Sequence, residues 1–209
     1  MAILQRGIYA ITDFTSLKDT EVFARTELLL RAGISMLQYR DKSATAKAKI
    51  SRARELRSLC KQFNTPFIVN DDIELARDTG ADGIHLGQND TDIQTAREFL
   101  GPIIIGCSCY NSLHLAQEAQ AAGADYVAFG AFHDTSSKKN TVKAEPEILE
   151  RASHEIMLPL VAIGGITPEN GKVLVDKGAA MLAVISALYG ANDTNATIKK
   201  FNLLFEQEQ

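Results

Sequence analysis

The sequence has few cysteines, no cluster of basic residues and no long apolar run. Its three cysteines, Cys60, Cys107 and Cys109, form neither a disulfide framework nor a set of metal ligands. No apolar stretch approaches the roughly 20 residues of a membrane-spanning helix, and the start of the chain lacks the layout of a signal peptide. With a net charge of -4 and no basic patch, nucleic acid is not an expected partner. We therefore expect a cytoplasmic protein that has neither a membrane nor a nucleic acid as partner.

Short apolar runs alternate with amphipathic segments along the whole chain. Eight runs are rich in Ile and Val and apolar on both faces, which is typical of buried parallel strands. The predicted strands are residues 7–12, 34–39, 66–70, 82–86, 102–106, 125–130, 159–165 and 180–186. Apolar residues at spacings of three and four predict a helix over 43–62. A further helix is predicted to begin at Thr167-Pro168, because Thr is a favoured N-cap and Pro suits the first helical position.

A longer repeat groups these elements into pairs. The even-numbered strands each follow a glycine that suits a helix C-cap, namely Gly33, Gly80, Gly123 and Gly178. The third, fifth and seventh strands each follow a proline. Eight strands with intervening helices predict an α/β fold, a single-domain (β/α)8 TIM barrel over residues 1–209. An open doubly wound sheet is the alternative, but the first turn lacks the G-x-G-x-x-G fingerprint of dinucleotide-binding sheets.

Carboxylates and amides end two of the apolar runs, in the stretches VNDD and GQND. A carboxylate beside a buried strand is costly unless something positive meets it. Asp71 and Asp90 follow neighbouring strands, so they can converge on the barrel face where active sites lie. Their oxygens suit Mg²⁺, which keeps several waters and is often shared with a phosphate. The alternative is that each aspartate caps the next helix, and we expect this for Asp72 and Asp92.

Cations also gather at the strand ends. Arg40 and Lys42 follow the second strand, and Lys138 lies in the unusually long stretch after the sixth strand. Because a metal-bound diphosphate needs cationic partners, these three side chains are predicted to contact phosphate oxygens. A solvated loop charge is the alternative, and we expect it for Lys139 and Lys143. Long loops in compact domains are often functional, so His133 in the same stretch is a further candidate for substrate contact.

The stretches AIGGI and VIS, after the seventh and eighth strands, indicate a second anion site. Backbone N–H groups at a glycine turn or a helix start bind phosphate, and barrels often use these two loops for it. Tight strand-to-helix packing is the alternative, and both can hold. Two anion sites on one face predict either two phosphorylated small substrates or one substrate with phosphates at both ends.

Two groups of residues near these strand ends have simpler interpretations. Cys107 and Cys109 flank Ser108, and we expect them to be small buried side chains on one face of a continuing strand. His85 ends a strand without a second histidine at metal-ligand spacing, so it is predicted to be a packed barrel residue.

The sequence resembles the thiamine-phosphate synthase (thiamine-phosphate pyrophosphorylase) family from YAITD near its start to AVISAL near its end. QYRDK, VNDDIELA, DGIHLGQND, IIGCS, GADYVAFG, TSSKK and VAIGGI follow in family order. The stretch GAFHDTSSKK departs from the usual family pattern at Ala131, His133, Asp134 and Ser137, and SCY stands where S-x-His is common. The resemblance implies a transferase that joins hydroxymethylpyrimidine diphosphate to a thiazole phosphate, giving thiamine phosphate and diphosphate by a dissociative substitution.

The resemblance also implies roles for individual residues. The pyrimidine diphosphate would be bound by Gln38, Tyr39, Arg40, Asp41, Lys42, Asn70, Ser108 and Lys138. Of these, the expected catalytic residues are Arg40, Lys42, Ser108 and Lys138. The thiazole phosphate would be bound by Thr135, Ser136, Ser137, Gly165, Ile185 and Ser186. Asp71 and Asp90 would bind Mg²⁺, the only expected cofactor.

Three alternatives stay open at this point. One is a thiazole tautomerase, an isomerase of a related barrel that needs no metal-diphosphate site; Asp71, Asp90, Arg40 and Lys42 argue against it. A second is a non-catalytic barrel that binds a phosphorylated ligand. The third concerns assembly, because the sequence does not decide between a monomer and a homo-oligomer.

Overall fold

The chain folds into a closed, eight-stranded parallel barrel with helices around it, which confirms the predicted single-domain (β/α)8 fold. This architecture is that of a computed structural model, and it describes residues 4–134 and 143–206. The strands are β1 (Gly7–Ile11), β2 (Met36–Tyr39), β3 (Phe67–Asn70), β4 (Gly83–Leu86), β5 (Ile104–Tyr110), β6 (Tyr126–Phe129), β7 (Leu160–Ile163) and β8 (Met181–Val184). The helices of the described ranges are α1 (Asp19–Arg31), α2 (Ala46–Gln62), α3 (Ile73–Thr79), α4 (Ile93–Leu100), α5 (Leu113–Ala121), α6 (Glu147–Glu155), α7 (Lys172–Asp176), α8 (Ser186–Tyr189) and α9 (Thr194–Leu203).

Each strand pairs with its neighbours in the sequence, and β1 closes the ring by pairing with β8. Because every strand is covered by helices outside and by side chains inside, the strands are largely apolar on both faces, as the sequence predicted. The helix predicted over 43–62 is α2, with Thr45 as N-cap and Ala53, Leu56 and Cys60 buried. Gly80 is the C-cap of α3 in the left-handed region (φ 61°), so the predicted glycine stop is confirmed there.

Two arginine–aspartate pairs tie the helices to the amino-terminal end of the barrel. Asp82, just before β4, accepts the N–H of Phe67 at 2.9 Å and pairs with Arg57 of α2 at 2.8 Å. Asp125 repeats this arrangement before β6: it pairs with Arg97 of α4 at 2.9 Å and accepts an N–H at the start of β5. Contacts at this end serve stability, because active sites of this fold lie at the opposite end.

Two element boundaries differ from the predictions. β5 was predicted to end at Gly106 but runs to Tyr110, with a register shift against β6 between Ser108 and Tyr110. Such a bulge bends the strand beside the barrel mouth and re-aims its side chains. The helix predicted from Thr167 begins instead at Lys172, because the side chain of Asn170 accepts the N–H of Thr167 at 2.8 Å and locks a turn there.

No helix within residues 4–134 and 143–206 combines the length and the hydropathy required to cross a bilayer.

Candidate active site

Asp71 and Asp90 meet at the carboxyl ends of β3 and β4, within hydrogen-bonding reach of each other. Asp71 has a left-handed backbone (φ 63°), and its N–H donates to the carbonyl of His85 at 2.9 Å. Asp90 lies in the turn after β4, where its carboxylate accepts the N–H of Gly87 at 2.7 Å. These backbone contacts bring the two side chains together as the strand ends predicted. Asp72 and Asp92 cap α3 and α4, as expected.

The carboxylate pair is electrostatically unfavourable as it stands. Burial raises the pKa of Asp71 above its ordinary value, and the neighbouring Asp90 raises it further. Lys42 offsets this only in part, with its Nζ 3.3 Å from Oδ2 of Asp71. A cation bound between the two carboxylates would remove the repulsion, and oxygen ligands are those that Mg²⁺ prefers.

The donor set fits a partly hydrated ion. Across the two described ranges, no group of three or more His, Cys, Asp or Glu side chains converges on one point. The carboxylates of Asp71 and Asp90 would therefore fill only part of an octahedral shell. Mg²⁺ suits this arrangement because it usually keeps several waters and is bound by one or two carboxylates together with substrate phosphates.

The loop from Arg40 to Thr45 presents cations beside this pair. Arg40 is linked to β1, because its N–H donates to the hydroxyl of Thr12 at 3.0 Å. Lys42 is exposed and reaches Asp71. Asp41, between them, points the other way, and its carboxylate accepts the N–H groups of Ser43 and Ala44 at 3.1 Å each.

Arg52 of α2 holds Asp41 in this position, a contact that the sequence did not predict. Its guanidinium donates to Asp41, to both oxygens of Asp19 at 2.8 and 2.6 Å, and lies 4.7 Å above the ring of Phe14. Burial opposes ionisation of Asp41, but the hydrogen bonds from Arg52 and the loop N–H groups outweigh it and lower the pKa. Asp41 thus shapes the loop, whereas Arg40 and Lys42 are its outward charges.

A cleft of about 270 Å³ opens between this loop and the end of β3. Its walls are formed by Tyr39, Asp41, Lys42, Lys49, Asn70, Asp71, Asp72 and Leu75. Tyr39 packs on the outer side of β2, in the core between strands and helices. Its neighbour Gln38 faces the barrel interior, so these two predicted residues lie on opposite sides of the strand.

Gln38, Asn70 and Ser108 point into the barrel near its mouth. Side chains alternate across a strand, and residues two or four positions earlier on the same strands belong to the interior core. Ser108 Oγ lies 2.9 Å from Nε2 of His85, and the amide of Gln38 donates to the hydroxyl of Tyr9 at 2.7 Å. The predicted packed residue His85 is indeed buried, but it also contacts a predicted site residue.

The second predicted anion site lies across the mouth, after β7 and β8. Gly165 has a left-handed backbone (φ 60°), and a Cβ at this position would lie 2.4 Å from the carbonyl oxygen of Asp134. Only glycine therefore allows the loops after β6 and β7 to approach this closely. Ser186 begins α8, and Ile185 before it packs against the interior core. The first turn of a helix has N–H groups without helical acceptors, which suits a phosphate.

Several predicted residues lie outside the described ranges, namely Thr135, Ser136, Ser137, Lys138 and Lys139. His133, at the edge of the described part, donates its N–H to the carbonyl of Gly164 at 3.1 Å. It therefore lies beside the second predicted anion site.

Cys107 and Cys109 share the outer face of β5, opposite Ser108, and pack in the core under the helices. Burial raises the pKa of the Cys107 thiol to about 11 and that of Cys109 to about 12. Because the thiolate is the reactive form, neither side chain is suited to nucleophilic chemistry. The expectation of a small buried side chain holds for Cys109, whereas Cys107 is only partly buried.

Fold and site together define a class: the molecule is a (β/α)8-barrel enzyme with its polar site at the carboxyl ends of the strands. A sequence model of the family described as "Thiamine monophosphate synthase" matches residues 8–188, and the chain belongs to this family.

Individual relatives agree over nearly the whole chain. A thiamine-phosphate synthase from Thiobacillus denitrificans is 48% identical over 97% of this chain and 96% of its own length. One from Saccharophagus degradans is 45% identical over 92% of this chain and 89% of its own length. Among solved structures, the thiamine phosphate pyrophosphorylase of Pyrococcus furiosus superposes with a TM-score of 0.85, at 30% identity over 97% of this chain and 96% of that one.

Proposed function

We propose that this protein is a thiamine-phosphate synthase, a transferase that joins hydroxymethylpyrimidine diphosphate to a thiazole phosphate and releases thiamine phosphate and diphosphate. The observation that carries this proposal is the Asp71–Asp90 pair with Lys42 beside it, at the active end of a barrel of this family. An isomerase acting on the thiazole alone does not require two adjacent carboxylates, whose mutual repulsion destabilises the fold when no cation is bound.

The chain's own groups suit a reaction in which the diphosphate leaves before the new bond forms. Arg40 and Lys42 would hold the departing diphosphate from the loop after β2, and Lys138, which follows β6 in the sequence, would add a third cation. Charge neutralisation of the leaving group and orientation of the thiazole nitrogen toward the pyrimidine cation account for most of such a rate. No residue has to act as a general base.

We assign Mg²⁺ binding to Asp71 and Asp90. When bound, the ion would neutralise negative charge on the diphosphate. The chain's contribution is to hold the two carboxylates close together, through the N–H of Gly87 on Asp90 and the ammonium of Lys42 near Asp71. Asn70, Gln38 and Ser108 face the interior beside the pair and would orient the pyrimidine ring and its diphosphate.

The thiazole phosphate would occupy the other side of the mouth. Gly165, Ile185 and Ser186 provide a glycine turn and a helix start there, and Thr135, Ser136 and Ser137, which follow β6 in the sequence, would add hydroxyl donors to the phosphate. Two small phosphorylated substrates are therefore the partners of the proposed reaction.

We propose the cytoplasm as the compartment. All three cysteines are free thiols, Cys60 and Cys109 among the buried residues, which fits a reducing environment.

Product formation tests the proposed function directly. Purified protein is incubated with both substrates, in Mg²⁺ and in excess chelator, and thiamine phosphate and diphosphate are measured. We expect equal amounts of the two products in Mg²⁺ and almost none in chelator. Isomerisation of a thiazole substrate without the pyrimidine, unaffected by chelator, would instead identify a tautomerase; binding without any turnover would identify a non-catalytic barrel.

A further inference from the structure

A chain of hydrogen bonds crosses the barrel interior and joins two of the predicted site residues. Gln38 Nε2 donates to the hydroxyl of Tyr9 at 2.7 Å, and this hydroxyl lies 2.8 Å from that of Tyr126. The Tyr126 hydroxyl lies 2.9 Å from Nδ1 of His85, whose Nε2 lies 2.9 Å from the hydroxyl of Ser108. This series of hydrogen bonds connects side chains of five strands, and it links β1 to β6 and β6 to β4, which are not neighbours in the barrel.

The interior is shaped around the central members of this chain. The rings of His85 and Tyr126 stack with centroids 5.6 Å apart, and the rings of Tyr9 and Tyr126 meet edge to face at 5.8 Å. A Cβ at Gly106 would lie 1.9 Å from Cζ of Tyr126, so the ring occupies the space that any side chain at position 106 would fill. Packing thus fixes the three rings before any substrate binds.

The direction of each bond follows from the donors available. The structure orients the amide nitrogen of Gln38 toward Tyr9, and this nitrogen only donates. In this orientation the Tyr9 oxygen accepts from Gln38 and the Tyr9 hydrogen goes to Tyr126. Tyr126 then donates to Nδ1 of His85. A neutral imidazole carries one proton, which must therefore be on Nε2 and be donated to Ser108. Burial raises the pKa of Tyr9 and Tyr126 well above the usual value, so both keep their hydrogens.

The opposite direction leaves a buried group unpaired. If Ser108 donated to His85, then His85 would donate to Tyr126 and Tyr126 to Tyr9. The Tyr9 oxygen would accept twice, while its own hydrogen would have no acceptor among the described residues. A fully buried donor without a partner is costly, so the first direction is favoured.

We infer that Tyr9, Tyr126 and His85 are positioning residues that make the Ser108 hydroxyl a donor to the substrate. Because Ser108 already accepts from His85, its own hydrogen is available for an acceptor atom of a bound substrate. This inference rests on the proposed function, in which that acceptor belongs to the pyrimidine diphosphate. Gln38 donates at one end of this series of hydrogen bonds, and Ser108 is left to donate to the substrate at the other end.

The tautomer of His85 is the first test, and it requires no activity. Protein with ¹⁵N-labelled histidine has four such residues, and His85→Gln identifies the signal of interest. Long-range ¹H–¹⁵N correlation at neutral pH distinguishes a protonated ring nitrogen from an unprotonated one. We expect the proton of His85 on Nε2; a proton on Nδ1 would overturn the inference.

Kinetic coupling between Tyr126 and Ser108 is the second test. Ser108→Ala removes the donor and is expected to lower kcat/KM by about 10- to 100-fold. Tyr126→Phe leaves His85 Nδ1 without its donor and is expected to lower kcat/KM about fivefold. In the Ser108→Ala background there is no hydroxyl for His85 to orient, so Tyr126→Phe should change kcat/KM by less than about twofold.

Tyr189→Phe is the matched control. Tyr189 is equally buried, and its hydroxyl lies 2.7 Å from that of Thr26, but it packs among the helices outside the barrel. We expect it to leave kcat/KM unchanged in both backgrounds. Losses from Tyr126→Phe that multiply with those from Ser108→Ala would show a general packing effect and overturn the inference.

The two proposals fail in different ways. A wild-type protein that forms no thiamine phosphate contradicts the proposed function, while the His85 tautomer is still measured in that same protein. An active wild type with the proton on Nδ1 contradicts only the positioning role of the chain.

Discussion

At Asp71 several unfavourable features coincide in one residue. Asp71 is not a glycine, yet its backbone is in the left-handed region. Its carboxyl is partly buried, and a second carboxylate lies beside it. A non-glycine residue in this conformation costs on the order of 1 kcal/mol, and such costs persist where the surrounding structure enforces them at a functional site. The barrel enforces it here through the N–H of Asp71, which is held by β4.

Replacing Asp90 tests the metal site at this scale. Asp90→Asn keeps the shape of the side chain and an oxygen for the N–H of Gly87, but loses the negative charge. We expect the apparent affinity for Mg²⁺, measured from turnover at limiting Mg²⁺, to fall by about 100-fold or more, since even outer-shell changes cost 10- to 100-fold.

Asp92→Asn is the control, two residues further along. Asp92 caps α4 by accepting the N–H of Thr95 at 2.9 Å, and asparagine caps helices equally well. The Mg²⁺ dependence of this variant should match the wild type. Equal Mg²⁺ dependence in Asp90→Asn as well would remove Asp90 from the metal site.

Single residues show both what the sequence can predict and what it cannot. Asp71 and Asp90 were predictable as a pair, because strand ends of a parallel barrel converge on one face. The direction of Asp41 was not, because it depends on Arg52 of the next helix, eleven residues further along the chain. The link between His85 and Ser108, on the neighbouring strands β4 and β5, was equally hidden, because Ser108 lies on the extension of β5 beyond Gly106, where the sequence predicted a strand end.

At the scale of elements, the loop between β2 and α2 is held in one conformation by hydrogen bonds within it and by an ion pair with α2. Asp41 folds the loop back on itself, and Arg52 connects that fold to α1 through Asp19. Asp41 has a side chain only 1% exposed, so its pairing with Arg52 counts for more than a surface ion pair. Arg40 and Lys42, which we propose contact the phosphate, thereby extend from a fixed backbone.

Removing Arg52 tests whether this bracing serves substrate binding. Arg52→Ala leaves the Asp41 carboxylate buried without its partner and is expected to cost about 3 kcal/mol of stability. The loosened loop should raise KM for the pyrimidine diphosphate about tenfold or more, with little change in kcat, because the reacting groups themselves are intact. Steady-state kinetics and thermal unfolding of the same preparation measure both effects.

Arg57→Ala is the matched control on the same helix. Arg57 pairs with Asp82 at the opposite end of the barrel, so this variant should lose stability while KM stays at the wild-type value. A rise of KM in both variants would show that general loosening, rather than the loop, controls binding.

Element boundaries were harder to predict than the elements themselves. All eight strands could be read from apolar runs, because each is buried on both sides. The extension of β5 could not, because Gly106 indicates a strand end, while in the structure it makes room for the ring of Tyr126. The late start of α7 depends on the Asn170 side chain, which competes with the helix for backbone groups.

At the scale of the whole molecule, the carboxylate pair makes stability depend on pH. Burial and Asp90 raise the pKa of Asp71 in the folded chain, so its stabilising contribution is complete below the unfolded value of about 4. That contribution is lost as the pH rises through the raised folded pKa. Asp71→Asn should therefore raise Tm at pH 7 in metal-free buffer, by about 2–4 °C for each kcal/mol recovered. Loss of the ion pair with Lys42 should change the stability little, because the Lys42 side chain is 61% exposed.

Thermal unfolding from pH 4 to pH 8 measures this effect. The difference between variant and wild type should shrink toward pH 4, where Asp71 is protonated in both states of the chain. Mg²⁺ with diphosphate should reverse the order at pH 7, because only the wild type binds them well. A difference in Tm that is the same at every pH would contradict the assignment to Asp71.

The closure of the barrel also has a consequence for the synthesis of the chain. β1 pairs with β8, with Gly7 opposite Met181. The first strand to leave the ribosome therefore lacks one of its pairing partners until the last strand has been synthesised. At cellular translation speeds, that wait is on the order of ten seconds. During this time the nascent sheet has open edges, which are templates for pairing with other chains. Premature termination before residue 181 would make the exposure permanent, so nascent and truncated chains depend on chaperones in a way that the finished barrel does not.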